Sequence, residues 1–342
     1  MWTEGIAIGD LHTDKANLAK YFDDPLALQM KAVDKRLQYA LGRGIRYVLF
    51  LGDICEYVQM SEAARVAFLR LLKKYDGRLE IYIILGNHDY AESGVHSLLS
   101  FIEMCRHGMF ETVHVFDTPQ IVELGKVPFH FLPYPHTKPL DKSPGVCVAH
   151  YEVRGAKRDN GRIIKEGDTP EFKRHMFIQG HLHTPQVVGR HVYAGTLYQM
   201  SFGETLDKGF LRFRCRIVDG QLEFKHKHVS IEPEFKLVNL VVEDKQDLKK
   251  ITSDPTTRYK LFVQEDVSIP NDFLLKHTNI VNRLSFSSQE ELQALENEEF
   301  ALETQSIELS HERLLPNFLK KKLGLGKPQI NRALELLDRF KK

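Results

Sequence analysis

The 342-residue chain has only four cysteines, Cys55, Cys105, Cys147 and Cys215, far apart and with no Cys-x-x-Cys pair. That spacing argues against a disulfide framework and against a thiolate zinc cage, and leaves free thiols in a reducing compartment as the expected state. Long apolar runs are lacking too. No stretch approaches the ~20 residues that a membrane span requires. The opening "MWTEGIAIGD" has neither the basic segment nor the apolar core of a secretory leader. Charge of one sign is absent as well: 47 Lys and Arg stand against 46 Asp and Glu, a formal net of +1. No global field selects a polyanionic partner, so any basic patch must be local. Internal repeats and low-complexity tracts are missing. These absences point to a cytoplasmic chain that does not engage a membrane.

What is present has a layout. At 42% hydrophobic and 27% charged, the chain is ordinary for a globular protein. Its length suits roughly two domains, or one large domain with an appendage. "GIAIGD" (5–10) is a short apolar run stopped by Gly-Asp. Asp24-Pro25 then opens a helix that should end near Gly42 or Gly44. "IRYVLFLGD" (45–53) repeats the strand and its Gly-Asp stop, and Ser61 caps a helix running to Gly77. "LEIYIIL" (79–85) is a third strand, and "GVHSLLSFIEMCRHG" a third helix. A β-α-β-α-β-α order predicts a largely parallel sheet, whose ligands gather beyond the carboxyl ends of its strands. The second half predicts a hairpin over 120–134, strands "GVCVAH" and "MFIQGH", and a ribbon turning at Asp219-Gly220. The expected fold is α/β: two packed β-sheets flanked by helices, then a small α/β capping domain and C-terminal helices. The expected boundaries are 1–232 for the core, 233–288 for the cap, 289–309 for an acidic linker and 310–342 for a helical segment. In the cap, "FKLVNLVVED" and "RYKLFVQEDV" read as strands, and "DLKKITSD" and "PNDFLLKHTNIVNRL" as helices.

Five patterns stand in order at the predicted strand ends: "GDLH" (Asp10, His12), "GD" (Asp53), "GNHD" (Asn87, His88), "VAH" (His150) and "GHLH" (His181, His183). One Asp-x-His means little; five in register mean a site. Carboxylate, amide oxygen and imidazole together suit Mn, Fe or Zn, whereas an all-oxygen set would suit Mg or Ca. The candidates exceed what one ion needs, which implies a pair that clamps a phosphate.

These ordered motifs resemble the calcineurin-type metallophosphoesterase superfamily. More narrowly, "YAGTLYQMSFGETLDKGF" (193–210) is similar to a stretch following the last metal histidines of SbcD-like DNA-repair nucleases. The order of parts is similar as well. The resemblance implies a metal-dependent DNA exonuclease or endonuclease acting in repair or recombination, using two divalent ions with Mn²⁺ the expected one. It further implies partnership with an SbcC-type SMC-like ATPase, as a homodimer within a heterotetramer, in a bacterial or phage-infected host cytoplasm. Carried over by motif, one ion falls to Asp10, His12, Asp53 and His183, and the other to Asp53, Asn87, His150 and His181. Asp53 then bridges, and His88 protonates or stabilises the leaving oxygen. Glu56 takes the position where relatives carry an Asp or His against the catalytic histidine, and is expected to orient His88. Asp89 is expected to support the site rather than ligate.

Two rivals remain. One is a small-molecule phosphodiesterase or phosphatase on the same core. Its protein-phosphatase branch is disfavoured, because "GDICEYV" has no Arg and the third motif ends in Asp. The other is a metal-free scaffold. At the C-terminus, residues 289–309 hold seven Glu and no Lys or Arg, while 310–342 hold nine Lys and Arg against three Asp and Glu. Ile330, Ala333, Leu334, Leu337 and Phe340 recur there at helical spacing, the pattern of a partner-docking helix.

Overall fold

A computed structural model describes residues 1–91, 94–159, 161–166 and 172–308, with the backbone alone over 299–308. The chain begins with β1 (Thr3–Ile8), a short α1 (Ala16–Ala19), α2 (Pro25–Gly42), β2 (Tyr47–Phe50), α3 (Glu62–Tyr75), β3 (Glu80–Ile84), α4 (Leu99–Arg106) and β4 (Val113–Phe116). The hairpin β5 (Gln120–Leu124) and β6 (Val127–Leu132) follows, then β7 (Gly145–Ala149), β8 (His175–Gln179), β9 (Gln186–Val188) and β10 (His191–Tyr193). A long ribbon, β11 (Lys208–Val218) and β12 (Gln221–Ile231), closes the core. Beyond it lie β13 (Lys236–Val242), a 3₁₀ turn (Asp247–Lys250), β14 (Thr257–Gln264), α5 (Asn271–Lys276), β15 (Ile280–Phe286) and α6 (Gln289–Glu308).

Two six-stranded sheets form the core, ordered β12-β11-β1-β2-β3-β4 and β5-β6-β7-β8-β10-β9. β1 to β4 are mutually parallel, and so are β6, β7, β8 and β10. The sheets pack through Leu49, Leu51 and Ile84 of the first against Phe129, Phe131, Val148 and Ile178 of the second. The other face of the first sheet is covered by helices, with Val33, Leu37, Phe68, Leu72 and Phe101 packed against Ile6, Val48 and Ile81. Each such side chain stabilises the fold by about 1.5–3 kcal/mol when fully buried. Both long helices start where their capping residues require. The Asp24 carboxylate accepts the Ala27 N–H at 2.9 Å with Pro25 just inside, and the Ser61 hydroxyl accepts the Ala64 N–H at 3.2 Å.

Four local expectations change, the first being the helix expected over "DLKKITSD", which is only the 3₁₀ turn Asp247–Lys250. The helix expected over "GVHSLLSFIEMCRHG" is confined to Leu99–Arg106, because Asp89 takes both the Ser97 N–H and its hydroxyl, each at 2.8 Å. Strands β4 and β9 complete the sheets where none was expected. In "PNDFLLKHTNIVNRL" the helix stops at Lys276, and Ile280–Phe286 is a strand pairing in parallel with β14. There the Asn279 amide donates to the Thr252 carbonyl at 2.8 Å and the Thr257 carbonyl at 3.2 Å, which pins the new strand to its neighbour. The small sheet β13-β14-β15 has its own core of Val242, Leu261 and Val263, while Phe235 and Leu237 join the main one. Met1–Ser287 is one compact unit and Ser288 opens a second. The acidic stretch is the helix α6, and residues 310–342, with the docking pattern read in them, lie outside the described residues.

Candidate metal centre

Parallel pairing in both sheets brings five strand ends to one edge. Asp10 and His12 follow β1, Asp53 follows β2, Asn87 and His88 follow β3, His150 follows β7, and His181 and His183 follow β8. His12, Asp53 and His181 hold left-handed backbone angles, with φ of 44°, 49° and 80°. Such conformations cost of order 1–3 kcal/mol each, and persist where surrounding bonds over-determine them. Here the Leu11 and His12 N–H groups both donate to the Asp53 carbonyl at 2.9 Å. Two glycines make the approach possible. A Cβ on Gly86 would lie 2.1 Å from Asp53 Oδ1, and one on Gly180 would lie 2.4 Å from the Leu51 carbonyl oxygen.

The side chains resolve into two donor groups that share Asp53. In the first, His12 Nε2 and His183 Nε2 are 3.3 Å apart, His183 Nε2 is 3.7 Å from Asp10 Oδ2, and His12 Nε2 is 3.6 Å from Asp53 Oδ2. In the second, Asn87 Oδ1 lies 2.9 Å from both His150 Nε2 and His181 Nδ1, and His150 Nε2 is 3.2 Å from Asp53 Oδ2. The other oxygen of each aspartate is occupied: Asp53 Oδ1 accepts the His88 N–H at 2.9 Å, and Asp10 Oδ1 the His181 N–H at 3.0 Å. Asp10 Oδ2 is left buried with no hydrogen-bond partner, facing the histidines. A buried orphan carboxylate oxygen beside converging imidazoles is the donor chemistry of a divalent cation, and the residues fit one.

The electrostatics agree. Burial opposes charge on Asp53, but His150 and His12 outweigh it and hold the carboxyl well below its usual range. Burial likewise opposes a charged His150, yet Asp53 and Asp10 lift it to about 10; Asp159 and Glu204 lift His183 against burial to about 9. Excess carboxylate holds protons on these rings in the metal-free chain, the same negative density that attracts a cation.

His88 is half-buried beside the first group, its ring edge-on to His12 at 4.8 Å between centroids. Its Nδ1 contacts the Glu56 backbone carbonyl at 3.0 Å. The Glu56 carboxylate stays near His88, with an oxygen within 4.8 Å of a ring nitrogen, but its closest contacts are His12 Nδ1 at 2.9 Å and Lys15 Nζ at 3.2 Å. The Glu56 N–H is bound to the Thr13 carbonyl at 2.8 Å, so its side chain is held against the loop after β1, where Lys15 draws it in. Burial would raise its pKa, but His12 and Lys15 prevail and set it at about 2. Asp89 is fully buried and accepts from the N–H groups of Ile54, Cys55 and Gly86 at 3.0–3.1 Å, tying the loop after β2 to the loop after β3.

Sequence reasoning missed Lys15, Glu152, Asp159, Glu204 and Lys208. Glu152 lies 3.5 Å from His181 Nε2, Asp159 Oδ2 3.2 Å from His183 Nδ1, and Glu204 Oε1 3.2 Å from that same nitrogen. The one available signal was "SFGETLDKGF", quoted for its resemblance and given no structural task.

Residues 6–185 match the family model of the calcineurin-like phosphoesterases. No curated protein matches the chain. Among solved structures it is similar to vacuolar protein sorting 29 from Cryptosporidium parvum, at 14% identity and TM-score 0.29, covering 67% of this chain and 99% of that one. TT1561 of Thermus thermophilus gives 12% identity and TM-score 0.37, covering 66% and 99%. GAP50 of the Plasmodium inner membrane complex gives 11% and 0.39, covering 79% and 98%. At these values the three carry no argument about what the chain binds or cleaves. The family model spans more than half of the sequence and takes in all five strand ends, and on that match the chain belongs to the calcineurin-like phosphoesterase family.

Proposed function

We propose that this phosphoesterase is a DNA nuclease that works with two divalent cations, Mn²⁺ being the physiological ion. It is the nuclease subunit of a complex with an SbcC-type ATPase. The observation that carries the metal half of the reading is the shared aspartate: Asp53 Oδ2 stands within 3.6 Å of one donor group and 3.2 Å of the other. Support for the DNA half is the sequence stretch 193–210, similar to that of SbcD-like nucleases, whose Glu204 is in contact with His183.

Asp10, His12, His183 and Asp53 would hold one cation, and Asp53, Asn87, His150 and His181 the other. When bound, such a pair neutralises charge on the phosphoryl oxygens and acidifies water. The chain's own residues do the rest. His88, with Nδ1 anchored on the Glu56 carbonyl, keeps Nε2 for the leaving oxygen and delivers a proton there. Asp89 keeps the loops carrying Asp53 and Asn87 in register, so neither ligand needs to reorganise during turnover. The segment 310–342, by its charge and apolar spacing, is the part we assign to the ATPase.

Incubation with Mn²⁺ and end-labelled duplex DNA, with and without the ATPase, tests this reading. Strand cleavage that depends on Mn²⁺ and changes with ATP is the expected result. Hydrolysis of bis(p-nitrophenyl) phosphate with DNA left intact would favour a small-molecule phosphodiesterase. Failure to bind any divalent cation would point to a scaffold.

A further inference from the structure

Two buried Glu–Lys pairs lie behind the first donor group, one for each of its histidines. Glu56 Oε2 is 2.9 Å from His12 Nδ1, an ion-pair contact out of line for a hydrogen bond, and Lys15 Nζ meets both Glu56 oxygens at 3.2 Å. Glu204 Oε1 is 3.2 Å from His183 Nδ1, and its Oε2 takes Lys208 Nζ at 2.7 Å. Lys208 is completely buried and also donates to the Thr196 hydroxyl at 2.9 Å. Glu56, Glu204 and Lys15 are each 5–6% exposed. The two pairs come from unrelated parts of the chain, one from the loops after β1 and β2 and the other from the segment before β11 and that strand's first residue.

A lone buried carboxylate beside each imidazole would be costly. With its lysine each pair is neutral, so the carboxylate can fix the ring without adding net charge to the cavity. The arrangement leaves both Nε2 atoms pointing at one place, 3.3 Å apart. Among the described residues the second donor group has no such backing. His150 Nδ1 contacts the Leu51 carbonyl oxygen at 2.7 Å. His181 is backed by Glu152, whose cation is the surface residue Arg158, 57% exposed. Asp159 also reaches His183 Nδ1 at 3.2 Å, but its described hydrogen bond is to the Thr184 hydroxyl, and no lysine among the described residues forms an ion pair with it.

We propose that Glu56–Lys15 and Glu204–Lys208 are positioning pairs for His12 and His183, and that they make the site of Asp10, His12 and His183 the tighter of the two cation sites. This rests on the two-cation reading above. The physical basis is preorganisation: groups that orient ligating histidines are typically worth 10–100-fold in metal affinity. Lys208 and Glu204 act as a unit, because removing either strands the other in the interior.

The test is calorimetric titration of the chelator-stripped full chain with Mn²⁺ alone. The wild type should take up the ion in two steps of different affinity. Asn87→Ala, which strips the second group, should abolish the weaker step and keep the tighter one. The charge-neutral double variants Lys15→Met/Glu56→Leu and Glu204→Leu/Lys208→Met should each weaken the tighter step 10–100-fold and spare the weaker. The shape-keeping, charge-neutral pairs Lys15→Met/Glu56→Gln and Glu204→Gln/Lys208→Met leave no lysine stranded, and cover the case in which a leucine double variant fails to fold. A purely structural role would show as a lower melting temperature of the metal-free protein with the tighter step unchanged, and would overturn the proposal. So would a loss falling on the weaker step. If the wild type bound two ions equally and no Glu variant altered either, this inference would fall while the two-cation reading stood. If the wild type bound none, both would fall.

Discussion

His88 Nδ1 rests 3.0 Å from the backbone carbonyl oxygen of Glu56, so main chain anchors the ring, with the Glu56 carboxylate within 4.8 Å of it. A main-chain anchor survives side-chain substitution. His88→Ala should therefore act on turnover alone, cutting hydrolysis by ~10²–10⁴-fold, the usual value of general-acid help. Metal content should be unchanged, because both donor groups are complete without it. Steady-state assay of bis(p-nitrophenyl) phosphate beside elemental analysis of the purified variant checks this. Loss of bound metal would show that His88 ligates.

Asp53 behaves differently, because one side chain serves both groups and its other oxygen takes the His88 N–H at 2.9 Å. Asp53→Ala should lower the Mn²⁺ stoichiometry at both sites and bring hydrolysis of DNA and of simple phosphodiesters below detection. Retention of one full equivalent of metal would mean that the aspartate does not bridge.

Much of this site is legible in the sequence, for a local reason. A parallel strand puts the next residue of its chain at the common edge, so Asp10, Asp53, Asn87, His150 and His181 can be found by where the apolar runs stop. The supports are not legible that way. Lys15 meets Glu56 across 41 residues and His183 meets Glu204 across 21, through packing that no spacing encodes. Glu56 shows the same limit: its proximity to His88 could be read, but not that its carbonyl would hold His88 Nδ1 while its carboxylate made its closest contacts with His12 and Lys15. The expected helix that fails over 277–284 is a different case. "NIVNRL" carries an apolar spacing compatible with either structure, and the free edge of β14 decides it.

The outer face of the second sheet should make stability depend on pH. His191 is 5% exposed, stacks on Phe177 at 4.4 Å between centroids, and is pushed by burial down to about 4. The nearby His175 is likewise lowered to about 4, by burial and then by His130. In the unfolded chain both titrate near the ordinary ~6.5. Between those values the unfolded state binds more protons, so stability should fall as pH drops from about 6.5 towards 4. The loss should be roughly 1–3 kcal/mol per ring. Urea midpoints across this range measure it, and His191→Gln should flatten the slope. A variant as acid-sensitive as the wild type would assign the dependence to other groups.

Met1–Ser287 is a compact unit with its own cores, and it holds every residue of the candidate centre. Catalysis should therefore be separable from whatever 310–342 binds. That segment follows the acidic helix α6 and combines an excess of Lys and Arg with Ile330, Leu334, Leu337 and Phe340 at helical spacing. The combination suits an acidic coiled-coil surface with an apolar seam. A chain ending at Leu309 should keep its melting temperature within a few degrees and its Mn²⁺-dependent hydrolysis of bis(p-nitrophenyl) phosphate within about threefold. It should no longer co-purify with the ATPase, and ATP should no longer change its DNA cleavage. Binding of the partner at full strength by the shortened chain would remove the docking role from this segment. Aggregation with loss of activity would instead mean that 310–342 packs against its own protein, the ordinary fate of an amphipathic helix.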